Sequence, residues 1–130
     1  MRSHIAILKK PYLDLILTGR KCLECRLTKT ACPPFDRIAP GENILLKQSS
    51  GPVRGRAVVE QVCFYADLTP VGIEAICRDY NDQIIATADF WRSRRDARYC
   101  SLIWLKEVTP LTPYRIKTRG LRAWIITNPD

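Results

Sequence analysis

The chain has 130 residues, of which 46% are apolar and 26% charged, so it is long enough for one domain, 1–130, with a real core and a wet surface. No stretch approaches the run of about 20 apolar residues that a membrane helix needs, which sets membrane-spanning functions aside. A formal charge of +8 points instead to polyanions as partners, nucleic acid first among them.

The opening stretch, MRSHIAILKKPY, has too short an apolar run for a signal peptide, since Lys9 and Lys10 end it. The expectation is a cytoplasmic protein whose six cysteines remain free thiols. Cys63, Cys77 and Cys100 lie in or beside apolar runs and read as small buried hydrophobes.

Residues 3–8 alternate partly and read as a first strand. Pro11 suits the first turn of a helix over 11–18, with Tyr12, Leu13, Ile16 and Leu17 on its apolar face. Gly19 is placed to end that helix. Residues 21–27 read as extended, followed by a long loop rich in Pro, Thr and Lys. A strand over 44–47 and a longer one over 53–65 come next, with Gly55 marking a bulge or a close backbone approach. Thr69-Pro70 opens a second helix that runs to about Tyr80, closed by Asn81-Asp82. A short helix over 87–95 and strands over 99–108 and 123–127 complete the chain. The sum is an α+β domain: a small mixed or antiparallel barrel of five or six strands with two or three short helices.

Residues 11–26, PYLDLILTGRKCLECR, combine a Pro-aromatic helix start, an apolar helix and a G-x-K-x-x-E-x-R pattern formed by Gly19, Lys21, Glu24 and Arg26. The segment PGENILLK adds a Gly-acidic step into a strand, with Asn43 inside it. On these two segments the chain resembles the ASCH domain family of the PUA-like superfamily. The resemblance implies a β-barrel with a cleft beside the signature, and RNA, another nucleic acid, a nucleotide or a modified nucleoside as ligand. It also implies two activities found in the family, deacetylation of N4-acetylcytidine and ribonuclease action.

Glu24 and Arg26 lie two residues apart, so on a strand they share a face. They form either a salt bridge at the barrel edge or, with Lys21, a bipolar recognition site. The resemblance favours the second. Glu24 would then accept from a base amino group while Lys21 or Arg26 holds an oxygen. Lys9 and Tyr12 are the candidate rim of that cleft. The run Trp91 to Tyr99 places four arginines between two aromatics, a source of phosphate contacts and stacking surface. Arg98 is the candidate phosphate guide, since it directly precedes a strand. The bland alternative is a solvated helix face with arginine stems laid over apolar surface.

If the domain is an enzyme, Lys21 and Glu24 are the candidate catalytic residues. The amidohydrolase branch that the resemblance implies uses a Lys-Thr-Glu arrangement. Lys21 matches the lysine, but Glu24 stands where the threonine belongs, and Thr28 and Thr30 are out of register. Glu60, Glu74 and Asp79 are all open as third member. Cys22 and Cys25 have metal-site spacing, yet a structural zinc needs four ligands and the two point to opposite faces of a strand. No metal or other cofactor is expected. His4 is the sole histidine and reads as a core or edge residue. A module whose basic face meets a protein partner is the third functional class.

Overall fold

The computed structural model describes residues 1–118, 120 and 122–127. Its elements, in chain order, are β1 (Ser3–Leu8), α1 (Lys10–Leu17), β2 (Leu23–Thr28), β3 (Asn43–Gln48), β4 (Val53–Tyr65), α2 (Pro70–Ile84), α3 (Ala88–Ser93), β5 (Tyr99–Tyr114) and β6 (Trp124–Ile126). The six strands form one sheet in the order β2-β5-β4-β3-β1-β6. β1 and β3 run parallel, joined through α1 and β2; the other neighbours are antiparallel.

Bulges curl this sheet. The β4–β5 ladder slips register between Val53 and Gly55, between Arg56 and Val58, and between Val59 and Gln61. Each slip adds local bend and twist. Gly55 sits at the first of these slips. A Cβ there would stand 2.6 Å from Leu17 Cδ2 and 3.1 Å from the Thr109 carbonyl oxygen, so α1 can seat on β4 only over a bare backbone.

Two apolar clusters result. Leu13 and Ile16 of α1 plug the inside of the curl against Ala6, Ile44, Val59 and Ile103. On the outer side of β2 and β5, Leu23, Cys25, Leu27 and Leu102 pack against Ile73, Ile76 and Ile84 of α2 and Trp91 of α3. β2 therefore buries its odd-numbered residues under α2 and α3. Its even-numbered residues, Glu24, Arg26 and Thr28, go to the other face.

Two boundaries differ from the reading of the sequence by more than two residues. β5 continues past Pro110 and Pro113 to Tyr114 because β2 pairs only with 99–104, leaving an edge where a missing N–H costs nothing. α2 runs on to Ile84, since Asn81 does not end the helix. Its amide instead reaches forward to both backbone groups of Ala86, at 2.9 and 3.2 Å. Among the described residues, no helix is long and apolar enough to cross a membrane.

Candidate functional site

The site begins at the end of α1. Gly19 takes φ +81°, which lets its N–H reach the Ile16 carbonyl and the Arg20 N–H reach that of Leu15, at 3.1 and 2.9 Å. This is a Schellman motif, and it requires a residue at ease in the left-handed region. The reversal delivers Lys21 into the protein rather than out of it.

Lys21 is 2% exposed. Its Nζ donates to the Leu23 carbonyl at 2.8 Å and to the Ile84 carbonyl, and it lies 3.6 Å from Glu24 Oε1. Ile84 is the last residue of α2, a helix with no basic residue in its final turn. Its carbonyl is one of the groups a helix end leaves without a partner, at the negative pole of the helix dipole. The Lys21 ammonium thus caps α2 from another element. The carbonyl is aimed there by Ile85, which holds φ 56° and ψ 46° despite its branched Cβ. Asn81 holds that turn in place through its bonds to Ala86, and it also accepts from Trp91 Nε1 at 3.1 Å.

Glu24 is the middle of a charge chain. Its Oε2 accepts from Arg26 Nε at 2.7 Å while Oε1 faces Lys21. Arg26 then donates to the Ala123 carbonyl and the Ile7 carbonyl, both at 3.1 Å. β2 is one end of the sheet, and β1 with β6 is the other. Among the described residues no ladder joins these two ends, and the Arg26 guanidinium bridges the barrel seam. Trp124 backs it, with its ring 5.0 Å from Arg26 Cζ.

Trp124 is fixed in turn by His4 and Glu42. Its Nε1 donates to His4 Nδ1 at 2.9 Å, and His4 Nε2 meets Glu42 Oε1 at 2.8 Å. Because Trp124 can only donate, Nδ1 accepts and the proton sits on Nε2. Both ring nitrogens are occupied, so His4 is a structural histidine. Burial pushes it below its ordinary 6.5, with the Glu42 carboxylate only partly opposing. Burial works against the Glu42 charge, but bonds from His4, the Ala39 N–H and Arg2 outweigh it and hold the carboxyl below its usual range.

Above Lys21, Glu24 and Arg26 opens a cleft of about 670 Å³. Lys9 and Tyr12 line one side, with the Tyr12 ring 5.6 Å from Lys21 Nζ. Ser49 and Ser50 of the β3–β4 turn contribute another side, and Phe90 of α3 with Arg94 just past its end a third. The Arg94 guanidinium lies 4.1 Å from the centre of the Phe90 ring. Five of the six candidate ligand residues, Lys9, Tyr12, Lys21, Glu24 and Arg26, thus line one cavity. Arg98 does not. It is exposed, lies outside that lining, and its backbone is tied to Thr28 and Leu68. Arg94 takes the place the arginine cluster offered. The signal was available: Phe90 and Arg94 are i and i+4 in the helix read over 87–95, so they share a face. Arg122, also in the lining, sits outside any element and left no sequence signal.

Glu60, Glu74 and Asp79 are absent from the lining. Cys22 is exposed and Cys25 buried, on opposite sides of the chain, and all six cysteines are free. Among the described residues, no group of three or more His, Cys, Asp or Glu side chains is placed to hold a metal.

A curled six-stranded sheet, plugged by one helix and carrying a charged cleft on its seam, defines a PUA-like barrel. The family model for the ASCH domain matches residues 7–128, and the chain belongs to that family. The crystal structure of ASCH from Zymomonas mobilis is 13% identical, with a TM-score of 0.75 over 97% of this chain and 87% of that one. A serine-to-alanine variant of the same protein gives 14% identity and 0.74, over 97% and 88%. The hypothetical protein PH0355 is 17% identical with a TM-score of 0.54, over 82% of this chain and 97% of that one. At such identities the likeness speaks for the fold. No curated protein sequence matches the chain.

Proposed function

We propose that this ASCH domain binds RNA or a nucleotide in the cleft above Lys21, Glu24 and Arg26. The observation that carries the proposal is the unbroken ammonium–carboxylate–guanidinium chain, 3.6 and 2.7 Å between members, on the floor of a cavity of nucleotide size. A carboxylate offers about four acceptor positions. Glu24 uses one on Arg26 and turns one toward Lys21, so it keeps acceptors for the amino or imino N–H of a base. The floor reads the base, and the rim takes the rest. Lys9 and Arg94 suit phosphate, and Tyr12 and Phe90 offer ring surface for stacking.

Binding is better supported than lysine-assisted hydrolysis. The Lys21 ammonium is buried and donates to the Leu23 and Ile84 carbonyls, with Glu24 3.6 Å away, so its contacts within the protein hold it in a structural position. A carboxylate stands where the hydroxyl nucleophile of the Lys-Thr-Glu arrangement belongs. Water activated by Glu24 is the remaining route to a hydrolase.

The test is titration of a labelled single-stranded RNA at low and moderate salt. Affinity should fall steeply, with a log–log slope of about −0.7 for each phosphate neutralised. Arg94→Gln and Lys9→Gln should each weaken binding. Affinity independent of salt, or indifferent to both substitutions, overturns the proposal. N4-acetylcytidine and RNA should both survive prolonged incubation; turnover that Lys21→Ala abolishes would establish the hydrolase instead.

A further inference from the structure

A second concavity of about 860 Å³ adjoins the cleft and shares Arg26, Thr28, Arg122 and Ala123 with it. β2 runs from one to the other. Glu24 lines the first cavity alone, whereas Arg26 and Thr28 line both. Two residues of strand advance the chain by about 6.6 Å, so the bays are adjacent steps along one face.

The two bays differ in chemistry. The first mixes cations with Glu24 and Asp89, as a site that reads donors and acceptors must. Arg2, Arg26, Arg37 and Arg122 line the second, and among the described residues no carboxylate does. Arg2 is held by Glu42 at 3.2 Å and Arg26 by the seam. Arg37 and Arg122 are both exposed and make no ion pair among the described residues. Pro33 and Trp124 add apolar wall between these charges. Two open guanidinium forks beside a base-sized cavity are matched to phosphate, which they can grip in bidentate fashion.

We infer that the two bays form one track, and that the ligand is a single strand of at least two nucleotides. Its first base sits over Glu24, and its next phosphates lie beyond Arg26 against Arg37 and Arg122. This inference rests on the proposed nucleotide reading of the first bay and specifies its substrate class as an oligonucleotide.

The experiment is calorimetric titration with a nucleoside monophosphate, a dinucleotide and a tetranucleotide of one base, each across a salt series. Wild-type protein should bind the tetranucleotide at least tenfold more tightly than the monophosphate. The salt slope should steepen by about 1.4, the share of two further phosphates. Arg37→Gln, in an exposed loop outside the first bay, should remove about half of that steepening and leave monophosphate binding unchanged. Equal affinity and slope for all three ligands overturns the track while the single-nucleotide site stands. So does an Arg37→Gln loss that is the same for monophosphate and tetranucleotide. Equal competition by an acidic peptide also overturns it, since the second bay would then be a general anion surface. Failure of every nucleotide to bind removes both readings.

Discussion

Glu24→Gln keeps the shape of the side chain and removes the carboxylate that separates two cations. At 3.6 Å from Lys21, and with an effective dielectric near 20, the attraction lost is about 5 kcal/mol before desolvation is counted. Removing one member of a buried ion pair costs about 3–5 kcal/mol, because its partner keeps an uncompensated charge. Arg26 retains its two carbonyl acceptors and a glutamine oxygen still accepts from Nε, so the low end applies, about 3 kcal/mol. For a domain of this size that lowers the melting temperature by about 10 °C. Lys21→Met should also destabilise, since the α2 carbonyl loses its cap. The two changes together should cost at least about 1 kcal/mol less than their sum, because each removes the charge that the other leaves stranded. Urea unfolding of the four proteins measures this coupling. Additivity within about 0.5 kcal/mol would refute the charge chain. A Glu24→Gln cost below about 0.5 kcal/mol would do the same, since that is the size of a surface substitution.

Gly55→Ala should cost about 1–3 kcal/mol by overpacking, since Leu17 can shift aside but the Thr109 carbonyl belongs to a paired strand; thermal unfolding reads it. Asn81→Ala should cost about 2 kcal/mol, as the Ala86 N–H and Trp91 Nε1 lose their acceptor, and RNA affinity should fall with it because the Ile84 carbonyl is no longer aimed at Lys21. Acid should weaken the fold in two stages. His4 titrates at its ordinary 6.5 in the unfolded chain and lower in the fold, so below 6.5 the unfolded state binds the extra proton and stability drops. Glu42 adds a further loss below its ordinary 4.5, where the carboxyl of the unfolded chain takes up a proton that the depressed carboxyl of the fold still excludes. Urea midpoints across this range should fall with pH, and His4→Gln should flatten the upper stage.

The parts of this site that depend on neighbours in sequence were legible before any coordinates. The Gly19 turn, the shared face of Glu24 and Arg26, and the bare backbone at Gly55 all follow from local rules of chirality, period and packing. Arg26's partners lie 19 and 97 residues away, so its role in closing the seam could not be read. The cap that Lys21 places on α2 was hidden for the same reason, since the carbonyl it meets ends a helix 63 residues further on. Arg98 directly precedes a strand, whereas the cleft is lined by Phe90 of α3 and by Arg94 just past the end of that helix.

The most direct measurement is a nuclear magnetic resonance titration of the labelled protein with a short single-stranded RNA. The account predicts shifts centred on the Lys21, Glu24 and Arg26 signals, with Tyr12 and Arg94 moving in the same fast or slow regime. Shifts confined to the outer surface of α2, or spread evenly over every exposed lysine and arginine with the three floor residues still, would contradict it.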